Sequence, residues 1–404
     1  MIEKATKSAT KASQERAIGK LFSLGVSTSR DDWVYGESEQ EIRAKTAFLV
    51  GVYNADLARV RQRKSALDAS ELTYDIKWTR AVKADLTAGV SYSADQGVVV
   101  PSAYRPFDAR LLHFNGRLVE VQYQQTKLFG DHGDQPNKVI TLTDAGSQKP
   151  FMVLACEHVF DYHFVGAAAA ASGVPLYRYE NGNRIDNITD WALRQFRQHY
   201  QPGPRPSPQP SPRGRGSAAA ITREAIFHYV YAVLHDPVYR ETYAQNLKRE
   251  FPRIPLYGDG EGAFRQWSGW GAELMALHLG YESAAPFALK RTDTPDAKVR
   301  AAGQAPKCIL RSEPEAGRIV IDSETVLVGI PRAAWDYRLG NRSALDWVLD
   351  QHKERKPRDP TIRERFDSYR FADHKERVIG LLARVATVSV ETVRIVGAMR
   401  AGMR

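Results

Sequence analysis

Glu157, His158, Asp161 and His163, in the segment EHVFDYH, form the densest group of side chains that can hold a metal or move a proton. A metal site needs three or four such ligands converging on one point. The flanking Val159, Phe160, Tyr162 and Phe164 read instead as packed core, with strand alternation placing His158 opposite Asp161 and His163. His228 and His235, seven apart on one predicted helix face, read as polar core or rim positions. There is no GxxxxGK(S/T) loop, HExxH, CxxC, GxGxxG or GxSxG, and no Asn/Asp-Pro-Pro-Tyr/Phe tetrad of the kind amino-methyltransferases use. No catalytic, cofactor-binding or metal-binding residue is assigned, and the chain alone is not read as an enzyme.

Basic residues interleaved with aromatics are the stronger chemical signal. They recur in Tyr104-Arg105-Pro106-Phe107 with Arg110, Tyr123 with Lys127, Tyr177-Arg178-Tyr179, Tyr239-Arg240, Trp335 to Arg338 and Tyr369-Arg370-Phe371. Cations supply phosphate contacts and bidentate reading of guanine, Asn and Gln can read adenine, and aromatic rings stack on bases. Any one pair reads as a core aromatic beside a solvated cation; the set points to a polyanionic partner. The charge agrees: 57 Lys+Arg against 47 Asp+Glu give +10, an excess mixed enough to belong to a folded surface rather than a basic tail.

Two cysteines, Cys156 and Cys308, cannot build a disulfide framework. The polar, basic start lacks the apolar core of a signal peptide, and no run approaches a membrane span, so a cytoplasmic protein without membrane contact is expected.

The elements that must position these residues predict an α+β fold: a mixed or antiparallel β-rich recognition region with flanking helices and a C-terminal α+β unit. Residues 1–20 read as a disordered basic leader and 21–96 as a boundary segment and helical region. Within the latter, Leu21 to Tyr35 reads as strand, polar loop, strand, Glu39 to Leu67 as a long amphipathic helix with a basic end, and Ile76 to Leu86 as a shorter helix closed by Gly89. Residues 97–200 form the β-rich region, with strands expected in GVVVP, ARLLHFN, LVEVQYQ, KVITLTD, FMVLACEHV and VPLYRYE. Residues 201–217 read as a disordered Pro-rich insertion, 218–281 as helical, with helices at Thr222 to Leu234, Tyr239 to Arg249 and Gly262 to Leu279, and 282–306 as a linker. Residues 307–404 close the chain with a strand series and helices at about Ser343 to His352 and His374 to Met399.

GVSTSRDDWVY at Gly25 to Tyr35, YRPFDAR at Tyr104 to Arg110, the helical run from Ile221 to Leu256, IPRAAWDYRLGNRSALDWVLDQHKERKPRDPTI from Ile330 and the tail Phe366 to Val396 together resemble the C-terminal part of type ISP restriction-modification enzymes, and more loosely type IIG adenine-specific methyltransferases. The resemblance implies a target-recognition domain that reads a DNA site for methylation and cleavage performed elsewhere. It implies double-stranded DNA as partner, with a methyltransferase or helicase-nuclease chain as a second. S-adenosylmethionine, ATP and Mg are implied only for the family's other modules, none of which the sequence contains; the chain is expected to be a truncated or split gene product or a separate specificity piece.

On this reading Arg59, Arg61, Arg63 and Lys64, and Lys353, Arg355, Lys356 and Arg358 in KERKPR, are phosphate positioners, while Arg105, Arg110, Lys127, Arg178, Asn341 and Arg342 are candidate base readers. YRPFDAR has an alternative role as an internal brace, with Arg110 bridging Asp108 or a neighbour. Asp31 and Asp32 fit either loop self-capping beside Ser27, Thr28 and Ser29 or contact with DNA phosphate or a neighbouring catalytic domain. The alternative to DNA recognition is a fragment that acts only as an interaction module, its apolar LFSLGV segment left without an upstream sheet to join.

Overall fold

The computed structural model describes residues 16–63, 69–166, 169–201, 220–367 and 369–404. Lys64, most of the basic leader and nearly all of the Pro-rich insertion lie outside them. In chain order the principal elements are β1 (Ser23–Leu24), α1 (Asp31–Val34), β2 (Tyr35–Gly36), α2 (Glu39–Gln62), α3 (Arg80–Thr87), β3 (Val98–Arg105) and β4 (Asp108–Phe114). They continue with α4 (Gln125–Phe129), β5 (Val139–Thr143), β6 (Val153–Cys156), β7 (Val159–Phe160), β8 (Ala171–Pro175), β9 (Tyr177–Glu180), β10 (Asn183–Asp186), α5 (Asp190–Tyr200) and α6 (Arg223–His235). The last third holds α7 (Gly260–Leu279), β11 (Lys290–Asp293), β12 (Cys308–Glu313), β13 (Arg318–Asp322), β14 (Thr325–Val328), α8 (Ala344–Gln351) and α9 (Phe371–Met399).

Strands β5, β6 and β8 are buried along their whole length, because their sheet, in the order β1-β8-β5-β6, is covered on both faces. Successive side chains in a strand point to opposite faces. Val139, Leu154 and Cys156 accordingly join one apolar core, and Ile140, Leu142, Val153 and Ala155 join the other. The first core also holds a second sheet, β2-β4-β3-β7, whose β3–β7 pair is parallel at Ser102↔Val159 and Ala103↔Phe160. The other core is helical, with α5, α6 and α7 packed together. Helices α6 and α7 approach so closely that a Cβ on Gly271 would lie 1.7 Å from the His228 carbonyl oxygen, so only glycine fits there.

The helix starts are written locally. Ser38, Thr189 and Thr222 accept a hydrogen bond from a backbone N–H in the first turn of α2, α5 and α6, and Ser343 with Asp346 forms a reciprocal capping box on α8. Asn181 and Gly182, at φ 51° and 76°, make the tight turn of the β9–β10 hairpin that an Asn-Gly pair favours. Helix α9 joins the two cores: Val378, Leu382, Val385 and Val388 pack in the first, Ile395 and Met399 in the second. No helix among the described residues is long and apolar enough to cross a membrane.

Several sequence-based expectations are corrected. LVEVQYQ is not a strand; Leu118 and Val119 both turn into the core and only Val121 makes a bridge, to Ser27. Alternating polarity there marks a loop dipping into the core. Residues 282–306 are more than a linker, since β11 pairs with β14 at the edge of the C-terminal sheet β11-β14-β13-β12. Tyr239 to Arg249 divides into short helices Pro237–Thr242 and Asn246–Arg249. The expected strand, loop, strand of Leu21 to Tyr35 contains the helical turn α1. LFSLGV does have a sheet to join: β1 pairs with β8, and Phe22 packs edge-on against Phe251 at 5.1 Å.

Candidate nucleic-acid interface

The β3–β4 hairpin places YRPFDAR at a turn where Phe107 takes φ 58°. Arg105 pairs with Asp161 at 2.6 Å and lies 3.8 Å from Asp31, its side chain only 14% exposed. Arg110 pairs with Asp108 at 3.1 Å, and both guanidinium groups lie against the Tyr104 ring, at 3.9 and 4.2 Å. Tyr104 donates its hydroxyl to Asp31 and Tyr35 donates to Asp161. Burial works against the Arg105 charge, but Asp161, Tyr104 and Asp31 outweigh it and hold the guanidinium above its ordinary value. Burial likewise pushes the Asp161 carboxyl up while Arg105 opposes it. Such a pair is costly to break.

The loop before α1 belongs to the same construction. Thr28 donates to Asp31 and accepts the Arg30 backbone N–H at 3.2 Å, the latter being the self-capping bond, and Val26 bridges Asp161 in parallel. Gly25 is required for that approach, because a Cβ would sit 2.2 Å from the Asp161 carbonyl oxygen. Arg30 is buried, bonded to Thr79 and 3.6 Å from Glu120, and burial pulls it down to about 10. Trp33 reaches the far end of the chain by donating its indole N–H to Asp359 at 2.8 Å. The GVSTSRDDWVY and YRPFDAR segments are thus partners of one another.

Among the sequence-predicted phosphate positioners at the end of α2, Arg59 is paired with Asp56, Arg63 with Glu71, and Arg61 donates to the Gly89 carbonyl and to Ser91. They tie the helix to the segment that follows it. Arg178 is paired with Glu180 and is 12% exposed. Arg342 bonds Asp350 at 2.8 Å and lies over Trp347, and Arg355 shares the same carboxylate. Arg59, Arg61, Arg63, Arg105, Arg110, Arg178 and Arg355 thus each have an acceptor supplied by the chain itself.

Lys127, Lys353, Lys356 and Arg358 are different. All four are exposed, and none has a carboxylate within 4 Å among the described residues. Asn341 is exposed in the tight turn joining Arg338-Leu339 to Arg342-Ser343. Beside Lys127, Tyr123 is 42% exposed, holds φ 51° and stacks on Tyr162 at 6.0 Å. A bulky residue at positive φ is an outlier worth functional attention. The basic-aromatic pattern marked Tyr123 with Lys127, but the strain and exposure are visible only in three dimensions.

Asp161 and His163 of EHVFDYH serve the fold: Asp161 holds Arg105, and the His163 ring bonds the Ala169 carbonyl. β6 ends at Cys156 and Glu157 and His158 form a bend, so the strand alternation expected there does not apply. His235 is buried, while His228 keeps partial exposure near Glu224 at 4.0 Å. No group of three or more potential metal ligands occurs among the described residues.

The architecture is that of a specificity domain, and the family is explicit: the model of the type ISP C-terminal specificity domain matches residues 17–381, and the chain belongs to that family. It is similar, at 47% identity and a TM-score of 0.84, to a chain in a cryoEM structure of a DrdV–DNA complex, over 99% of this chain and 38% of that one. The fold also matches a nuclease-deletion mutant of the type ISP restriction-modification enzyme LlaGI in complex with a DNA substrate mimic, at 22% identity and TM-score 0.73, over 95% of this chain and 33% of that one. It matches the ATP-dependent type ISP enzyme LlaBIII bound to DNA at 20% identity and TM-score 0.75, over 98% and 24%. This chain spans well under half the length of each. No curated protein matches it.

Proposed function

We propose that this chain is a DNA target-recognition domain, binding duplex DNA and reading a site on behalf of methyltransferase and nuclease activities that reside in other modules. The observation that carries the reading is the 47% identity over 99% of the chain to a protein solved with DNA, within a family of specificity domains. S-adenosylmethionine, ATP and Mg belong to those other modules in this reading, and the site of action is the cytoplasm.

The division of labour follows from DNA itself. Phosphates give salt-sensitive affinity without sequence information, whereas base edges give discrimination of about 1–3 kcal/mol per good bidentate contact. Lys353, Lys356 and Arg358 are the phosphate positioners in this proposal, since no carboxylate of the described residues lies within 4 Å of them. Lys127 and Asn341 are the base-reading candidates, with Tyr123 as an exposed ring beside Lys127.

The test is binding of the purified chain to randomised duplex DNA at about 50 and 200 mM salt, with bound sequences recovered. Steep salt dependence with enrichment of one site is the expected result, with no methyl transfer by the chain alone. Sequence-blind or absent binding overturns the reading in favour of a module that acts only with a partner chain.

A further inference from the structure

An open groove of about 570 Å³ runs between the start of β12, the loop after α8 and the beginning of α9. Lys307, Lys353 and Arg370 line it, together with Glu354, Asp373 and the half-buried Cys308. Its acids are already answered: Glu354 accepts the Phe371 backbone N–H at 2.7 Å, and Asp373 lies in the first turn of α9, where the helix favours negative charge. Its lysines are not. Lys307 and Lys353 have no carboxylate within 4 Å among the described residues, while Arg370, 59% exposed, spends one N–H on the Tyr369 carbonyl at 2.7 Å and has Asp367 only at 4.0 Å. The chain leaving the groove carries two more exposed cations without such a partner, Lys356 and Arg358.

An open trough edged by separate cations, with no enclosing cage of donors, fits a polymer of regularly spaced anions better than a single small one. We propose that phosphates of one DNA strand lie along this groove, held by Lys307, Lys353 and Arg370 and continuing past Lys356 and Arg358, so that bound DNA covers Cys308. This rests on the DNA-recognition reading above and adds to it a location and two cations, Lys307 and Arg370, that sequence reasoning did not assign.

Cys308 makes the proposal measurable without any enzymatic activity. Cys156 is 5% exposed, so the two thiols are separable by rate and by the peptide that carries the label. In the full chain, maleimide labelling of Cys308 should slow by about tenfold when a mixed-sequence duplex is present at ten times its Kd, as mass action requires. Raising the salt until DNA dissociates should restore the rate. The triple variant Lys307→Glu, Lys353→Glu, Arg370→Glu should lower duplex affinity by about tenfold or more and reduce the log–log salt slope by roughly 0.9 for each phosphate no longer neutralised. Duplex bound with Cys308 labelled at the unprotected rate overturns the groove and leaves the DNA-recognition reading standing. Poly-glutamate protecting Cys308 as well as the duplex does reassigns the groove to an acidic polypeptide. A chain that binds no duplex at either salt defeats both proposals.

Discussion

Arg105 and Arg110 sit among Tyr104, Asp108 and Asp161 with most of their surface removed from water, while Lys353, Lys356 and Arg358 stand in solvent with no carboxylate of the described residues within 4 Å. Both sets occur in segments where cations alternate with aromatics or acids, and composition does not separate them. What separates them is whether the fold delivers a carboxylate into ion-pair contact: Asp161 arrives just after β7 and Asp31 at the start of α1, and no described element brings an acid within 4 Å of Lys353, Lys356 or Arg358. The first region uses positive charge to hold its own parts together, and the second leaves it available to an outside anion.

The widest gap between the regions should appear in stability. Removing one member of a buried ion pair strands the other, at a cost of about 3–5 kcal/mol. Arg105→Ala is therefore expected to lower the unfolding free energy by that amount in urea denaturation, through the unpaired Asp161. Charge reversal at Lys353, Lys356 and Arg358 should leave unfolding within about 0.5 kcal/mol of the parent, as surface changes usually do. An Arg105→Ala chain as stable as the parent would erase the distinction.

In DNA binding the order reverses. The Lys353→Glu, Lys356→Glu, Arg358→Glu variant should bind about tenfold or more weakly at low salt, with the salt slope falling by roughly 0.9 per phosphate left without its cation. Arg59→Gln, by contrast, removes a cation already paired with Asp56 and should leave the slope unchanged. A slope that responds to Arg59 and not to the KERKPR run would exchange the roles of the two regions.

Much of this architecture was legible in the sequence. Continuous apolar runs such as VITLT and VLAC belong to strands covered on both faces, and the Ser and Thr residues before α2, α6 and α8 announce the helix starts, whereas α5 lies at the end of the span read as β-rich and was missed although Thr189 caps it. The brace was legible only as one of two alternatives, because Arg105 and Asp161 are 56 positions apart and nothing local to either reveals the meeting. LVEVQYQ misled for a related reason: polar and apolar residues alternate as they would in a strand, yet the backbone hydrogen bonds of a sheet go elsewhere. β11 was hidden by its exposure, since all four residues face solvent and leave no apolar pattern to read. The candidate site follows the same rule, with cations visible in the sequence and their freedom visible only once the acids around them have been placed.

Interior polar groups should also give the protein a pH response that the exposed cations cannot. His235 is buried on α6, and burial pushes its imidazole down from 6.5 to about 3; His278 beside it is lowered for the same reason. Both rings are neutral in the folded chain at pH 5 and take up a proton on unfolding. The unfolded state thus binds more protons below about pH 6.5, and stability falls as pH drops from there towards 3. Urea midpoints measured between pH 7 and pH 4.5 should decline, and His235→Phe should flatten part of that decline. Lys353, Lys356 and Arg358 stay charged throughout this window, so their charge-reversal variant should show the parent's pH dependence.

Arg342 tests the boundary between the two regions, because it belongs wholly to neither. It bonds Asp350 at 2.8 Å and lies 5.2 Å over the Trp347 ring, yet its side chain is 39% exposed and Asp350 also holds Arg355. Water screens a pair this open, so Arg342→Ala should cost only about 0.5–1 kcal/mol, well below Arg105→Ala. A double-mutant cycle with Asp350→Asn should return a coupling of about that size or less, since Arg355 remains to satisfy the carboxylate. If Arg342 also leaves Asp350 to meet DNA, affinity for the recovered site should fall in Arg342→Ala while mixed-sequence binding stays near that of the parent. An equal drop for all sequences would mean that Arg342 holds a phosphate, and unchanged affinity would make it a brace like Arg105.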